Sequence, residues 1–231
     1  MNIAIIPARG GSKRIPRKNI KEFCGKPIIA YSIEVALQSQ CFDKVIVSTD
    51  DEDIARIAIS YGAEAPFIRP KELSDDFIGT GEVVAHAIKW LKEQGQEFDY
   101  LCTIYATAPL LQSKYLLDGY EKIKNSDAIN VFSATPMPFP IQRAFKVNKN
   151  GRCAMFTPEH FMTRSQDLET AYQDAAQFYW TNLHKESENV FFGKDSSPII
   201  LPRYLVQDID AEEDWIRAEY MYKVMRGIKI A

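Results

Sequence analysis

Short β-branched runs alternate with stretches of helical periodicity through the first half of the chain. Ile3 to Ile6 and Lys44 to Thr49 read as strands, while Ile28 to Ser39 and Glu52 to Tyr61 carry the 3.6-residue apolar period of helices, the second stopped by Gly62. The rhythm continues through Phe67-Ile68, a helix from Thr80 to Gln94, a strand at Tyr100 to Tyr105, a helix from Ser113 to Lys124 and a strand at Ile129 to Thr135. This βαβα order predicts an α/β fold, a largely parallel sheet with helices on both faces.

After Pro136 the rhythm breaks. Pro136, Pro138 and Pro140 interrupt it, and Phe145 to Phe156 contains Asn150-Gly151, a dipeptide favoured in hairpin turns. An antiparallel arm projecting from the sheet, at about residues 136–175, is the expectation. Gln177 to Thr181 and Ile199 to Leu201 read as further strands, and Ala211 to Arg226 as a closing amphipathic helix ended by Gly227.

A chain of 231 residues with 46% hydrophobic positions can bury a sizeable core, so one domain over 1–231 is expected. The net charge of -3 offers no global field for nucleic acid or an anionic membrane, and any basic patch has to be local. Apolar runs such as Pro27 to Ala30 are far shorter than the roughly 20 residues of a membrane span. The start of the chain shows no cationic leader or cleavage site, which predicts a cytoplasmic protein. Cys24, Cys41, Cys102 and Cys153 are scattered without metal-site spacing and read as reduced thiols.

The local basic patch is the loop after the first strand, Pro7 to Asn19. Gly10 and Gly11 allow close backbone approach to an anion, and Arg9, Lys13, Arg14, Arg17 and Lys18 crowd cationic donors into a net acidic chain. Loops at the carboxyl ends of strands are where open α/β sheets bind ligands. The segment therefore reads as a phosphate cradle. It matches neither common fingerprint: Ser12, not glycine, precedes Lys13, and no third glycine completes G-x-G-x-x-G.

The run Ile5-Ile6-Pro7-Ala8-Arg9-Gly10-Gly11-Ser12-Lys13-Arg14-Ile15-Pro16-Arg17-Lys18-Asn19 resembles the signature of the CMP-sugar-acid synthetases, cytidylyltransferases that activate sialic acid and related nonulosonic acids. Val47 to Asp50 resembles the end of that family's second strand, and Arg69 to Leu73 its R-P-x-x-L segment. The resemblance implies a Rossmann-like, three-layer nucleotidyltransferase fold of glycosyltransferase-A type, with a mixed, mostly parallel sheet and a β-hairpin dimerisation arm. It implies nucleotide binding by Ala8, Arg9, Gly10, Gly11, Ser12, Lys18, Asn19, Arg69, Thr80 and Tyr105, the last standing where relatives carry glutamine. It also implies a homodimer, with Arg164 completing the neighbouring chain's pocket.

Near the other end, Asp208 and Asp210 lie two apart before the closing helix, so on an extended segment they converge on one side. Such a pair suits magnesium, a hard cation that takes carboxylate and phosphate oxygens, with manganese as the alternative. The pair also resembles the family's metal-binding D-x-D. Asp210 has a second reading as helix N-cap, with Glu213 three residues on; Glu212, Glu213 and Asp214 read as first-turn acids that favour the helix dipole.

Taken with the loop, these residues make Arg9, Lys18, Asp208 and Asp210 the expected catalytic set, joining CTP to a nine-carbon acidic sugar without a covalent intermediate. Such a sugar needs a cation for its carboxylate, polar partners for hydroxyls and aromatic surface for acyl groups. Arg164, Gln166, Asp174, Gln177 and Tyr179 are the candidates, with Arg143 a lesser alternative to Arg164, and alternation lets only one of Phe178 and Tyr179 face the site. The stretches Ile104 to Pro109, Thr163 to Leu168 and Tyr172 to Trp180 resemble the branch of the family that acts on pseudaminic acid. Sialic or legionaminic acid, and a noncatalytic nucleotide-binding role, are the competing readings.

Overall fold

A computed structural model describes residues 1–75, 78–185 and 191–227. In chain order the elements are β1 (Asn2–Pro7), β2 (Glu22–Phe23), β3 (Lys26–Pro27), α1 (Ile28–Ser39), β4 (Lys44–Ser48), α2 (Glu52–Ser60), α3 (Thr80–Glu93), β5 (Tyr100–Ile104), α4 (Ser113–Lys124), β6 (Asn130–Pro136), β7 (Phe145–Val147), β8 (Cys153–Met155), β9 (Tyr172–Asn182), β10 (Ser196–Ile200) and α5 (Glu212–Met225). Six of these strands form one sheet in the order β10-β6-β9-β5-β1-β4. All run parallel except β9, which lies antiparallel between β5 and β6.

The strands read as continuous apolar runs because both faces are covered. Ala4 and Ile6 of β1 and Val45 and Val47 of β4 point to the layer built by α1, α2 and α4; Ile3, Ile5 and Ile46 point to α3. Helix α4 comes close enough to β9 that a Cβ on Gly119 would lie 2.8 Å from the Trp180 ring, whose Nε1 donates to Leu116 O at 3.2 Å. A third cluster, with Ile15, Phe23, Ile28, Tyr31, Ile209 and Trp215, docks α5 against the first loop and the small β2–β3 hairpin.

Three sequence expectations change. Phe67-Ile68 is not a strand; it contributes one bridge, Thr49 to Ile68, because the chain turns away after Arg69 N donates to Thr49 O at 2.7 Å. Strand β9 begins at Tyr172, well before Gln177, since a bulge breaks the alternation that would have shown it. The β2–β3 hairpin left no signal, being too short for periodicity. The hairpin predicted from Asn150-Gly151 exists as β7 and β8, but its turn is organised by Asn148, whose Oδ1 accepts from the amides of Asn150 (2.9 Å) and Arg152 (3.0 Å). Around it Phe139, Phe145, Phe156 and Met162 are exposed. Among the described residues no helix is long and apolar enough to cross a membrane.

Candidate active site

The first loop leaves β1 at its carboxyl end and is held from below by the end of β4. Gly10 N donates to Asp50 Oδ1 at 3.0 Å, and a Cβ at this position would sit 2.6 Å from Asp51 Oδ2. Gly10 is therefore required by close packing on an acidic turn, whereas Gly11 faces open space. Asp51 caps α2, accepting from the amides of Asp53 (2.9 Å) and Ile54 (3.1 Å), and receives the Arg17 guanidinium at 2.9 Å. Burial pushes the Asp51 carboxyl up, but those amides and Arg17 outweigh it and hold it below the ordinary carboxylate range. Arg17 also reaches Asp53 at 2.9 Å, so this cation locks the loop to α2.

Arg9, Lys13, Arg14 and Lys18 instead line a cleft of about 300 Å³. Ile15, fully buried, anchors the loop's middle, and Asn19 Nδ2 donates to Arg9 O at 2.9 Å, tying the loop's two ends together. Ala8, Ser12, Asn19, Arg69, Thr80 and Tyr105 share the cleft wall, so eight of the ten expected nucleotide residues meet there; Gly10 and Gly11 are not on the wall. Arg69 is 3% exposed. Its NH1 donates to Ser48 O at 3.0 Å, its Nε to Ser74 Oγ at 3.1 Å, and NH2 lies 3.7 Å from Asp50 Oδ1. Burial lowers its pKa, Asp50 opposes that and Arg9 adds to it.

The aspartate pair arrives from the far end of the chain. Ile209, fully buried in the same cluster as Ile15, brings the backbone against the loop, and Lys18 Nζ donates to Ile209 O at 2.5 Å. Asp210 Oδ1 accepts from Arg14 at 2.9 Å and lies 3.6 Å from Lys18 Nζ. The N-cap reading of Asp210 is not what is observed: α5 begins after Ala211, and Asp214, not Glu213, reaches back to accept from the amides of Ala211 (2.8 Å) and Asp210 (3.1 Å). That leaves the Asp210 carboxylate for the cleft. Asp208 is solvent-exposed as a residue, yet enough protein surrounds its carboxyl that desolvation raises its pKa, with Asp210, Asp174 and Asp214 pushing the same way and Lys18 opposing.

The expected sugar residues divide. Asp174 and Tyr179 line a second cavity of about 370 Å³ that meets the first at Thr80 and Tyr105. Tyr179, not Phe178, faces it; Phe178 is packed in the layer beneath α1 and α4. Gln177 is buried, with Nε2 donating to Leu205 O at 2.5 Å. Arg164 and Gln166 do not join them: both are exposed between β8 and β9, Arg164 paired with Asp167 at 3.2 Å. Arg143 is likewise exposed, between β6 and β7. Phe191 and Phe192, which wall the second cavity, lay in no recognisable pattern, and Ser74 and Asp75 join the first cleft only because the chain turns after Arg69.

Comparison with known proteins places this architecture. Residues 3–211 match the Cytidylyltransferase family. A pseudaminic acid cytidylyltransferase of Campylobacter jejuni is 50% identical over 96% of this chain and 97% of its own. A CMP-N,N'-diacetyllegionaminic acid synthase of Legionella pneumophila is 30% identical over 96% of each. A solved CMP:2-keto-3-deoxy-manno-octonic acid synthetase in complex with CTP superposes with a TM-score of 0.69 over 97% of this chain and 99% of its own, at 14% identity, a likeness of fold. With a basic loop at the carboxyl end of β1 meeting Asp210 before α5, and with relatives this similar over nearly their whole length, the chain belongs to the cytidylyltransferase family of nucleotidyltransferases.

Proposed function

We propose that the enzyme transfers CMP from CTP to the anomeric hydroxyl of pseudaminic acid, releasing pyrophosphate. The observation that carries the choice of sugar is the 50% identity to the Campylobacter enzyme across both full lengths, against 30% to the legionaminic acid synthase. The cleft supports the choice of nucleotide: four loop cations face a space with room for a triphosphate, in a chain whose net charge is -3.

The chemistry is one in-line displacement. The anomeric oxygen forms a bond to the α-phosphorus as the bond to the bridging oxygen of pyrophosphate breaks, and the hydroxyl proton passes to solvent or a basic oxygen nearby. The protein positions the two reactants and neutralises charge. Lys18, aimed by Ile209 O, and Arg9 are the cations we assign to the phosphates, with Ser12 and Asn19 beside them. Arg69, Thr80 and Tyr105 form the nucleotide wall; Gly10, packed on Asp51, fixes the path of the loop that carries the cations.

Asp208 and Asp210 fit a magnesium ion by donor chemistry: two hard carboxylates whose mutual repulsion a cation relieves. Magnesium commonly takes one or two protein carboxylates and fills the rest of its shell with water and phosphate oxygens. When bound, magnesium, or manganese in its place, would neutralise phosphate charge.

We further assign Asp174 and Tyr179 to the sugar side; Gln177, buried with its amide on Leu205 O, lines neither cavity and holds the strand beneath them. Arg164 and Gln166, which line neither cavity, act from the arm of a partner in a homodimer. The exposed aromatics of the arm support such an interface. The enzyme works in the cytoplasm on soluble substrates.

The decisive experiment measures pyrophosphate release with magnesium while crossing CTP, ATP, GTP and UTP with pseudaminic, legionaminic and N-acetylneuraminic acids. Turnover confined to CTP and fastest with pseudaminic acid is expected. Preference for another acid would move the substrate assignment, and no turnover with CTP and any acid would end it. Sedimentation at low micromolar concentration tests the dimer.

A further inference from the structure

We propose that Asp174 selects the acidic sugar by accepting a hydrogen bond from an amide N–H or hydroxyl at the end remote from the sugar's carboxylate, and that Tyr179 is the positioning residue that aims it. This deepens the reading above and rests on it only for the class of ligand.

The argument starts from an irregular strand. Phe132 of β6 pairs with Tyr179 and Ala134 with Asp174, so two steps along β6 are matched by five along β9. The surplus residues are folded into a bulge rather than left loose. Ser133 Oγ, fully buried, accepts from the amides of both Gln177 and Phe178 at 3.2 Å. Ala176 takes φ 51, a left-handed conformation costly for any residue with a Cβ. Bulges of this kind re-aim side chains beside active sites.

What this one re-aims is Asp174. Its Oδ1 accepts from Ala176 N at 2.9 Å and its Oδ2 from the Tyr179 hydroxyl at 2.5 Å. Each oxygen keeps a further acceptor direction, and the side chain lines the second cavity beside the aromatic walls Tyr105, Phe191 and Phe192. Burial, then the hydrogen bond to Asp174, keeps the Tyr179 hydroxyl protonated, so it remains a donor. A carboxylate held this firmly repels the carboxylate of an acidic sugar, which fixes the sugar's direction: its donor-bearing end faces Asp174. Tyr105 and Phe191, both partly buried, shield that bond on one side and strengthen it.

The test is calorimetric titration of the full-length protein, with magnesium, using an α,β-methylene analogue of CTP and then, in its presence, nonulosonic acids that differ by a single N–H or O–H donor. Asp174→Asn turns one acceptor oxygen into a donor; it should weaken the sugar that carries the donor by about tenfold or more, the loss of one charge-assisted hydrogen bond. The same variant should bind the CTP analogue within about twofold of wild type, and should bind the sugar lacking that donor as well as wild type does. Tyr179→Phe keeps the ring and should lose sugar affinity by about threefold to tenfold in the same pattern. Equal losses for all sugars, or parallel losses for sugar and CTP analogue, would overturn the proposal, as would wild-type protein that binds none of the acids. Donor-dependent binding without turnover would instead sink the catalytic reading and leave this one standing.

Discussion

Gly10→Ala isolates how the loop is held. The new Cβ would meet Asp51 Oδ2 at 2.6 Å and Asp51 Cβ at 3.1 Å, where ordinary contacts start near 3.4 Å. Asp51 cannot swing aside cheaply, because it caps α2 through two amides and holds Arg17 at 2.9 Å. Loss of an aspartate cap alone costs about 1 kcal/mol, and overpacking a tight contact costs about 1–3 kcal/mol. At about 2–4 °C per kcal/mol for a chain of this size, melting should fall by about 2–12 °C. If the loop yields instead, it moves by most of an ångström, and a displacement of about 1 Å at a reacting centre costs on the order of a hundredfold in rate. Calorimetry and kcat/KM for CTP, measured on the same preparation, partition the two. Asp51→Ala in the same background removes the shortest contact and leaves only the one to its own Cβ, so the double variant should be less damaged than the sum of the singles. Wild-type melting and wild-type kcat/KM in Gly10→Ala would refute the reasoning outright.

Lys18→Met should keep the melting temperature within about 2 °C and lower kcat by about a hundredfold or more, since it removes from a half-buried position the charge we assign to the phosphates. Asp208→Asn should raise the magnesium concentration needed for half-maximal rate, and a chelator should abolish pyrophosphate release until magnesium is restored; activity indifferent to both would remove the metal from the scheme. Because the Asp51 carboxyl is held below its ordinary value, its contribution to stability is complete above the unfolded value of about 4 and is lost as pH falls through the lower folded value. Asp51→Asn should therefore differ from wild type in chemical denaturation at pH 7 and converge with it below about pH 4. Gly119→Leu should unfold more readily than wild type, since even a Cβ there would lie 2.8 Å from Trp180; unchanged stability would mean that α4 can lift from the sheet.

Much of the molecule was legible along the chain. The bounds of α1 and α4 agree with their periodicity to the residue, and β1, β4, β5 and β6 to within a residue or two at each end. These elements have one face or run buried along their whole length, so the apolar pattern carries the signal. The loop was legible as well, because five cations and two glycines in an acidic chain need a local reason. The cavity walls were not. Phe191 and Phe192 reach the site from a turn outside any repeat, and β9 hid its first residues behind a bulge.

Composition and pattern along the chain settled the α/β class and showed a glycine-containing basic loop and a carboxylate pair, since each depends on residue type and local spacing. The division of labour inside the loop had to wait for the fold: Arg17 is turned onto Asp51 and Asp53, while Arg14 and Lys18 meet Asp210. Nothing local distinguishes one of these cations from another. The difference is made by Ile15 and Ile209, some 194 positions apart and buried in one cluster, which bring the two ends of the chain together. Burial of apolar side chains from remote segments sets that geometry, and sequence spacing alone does not encode it.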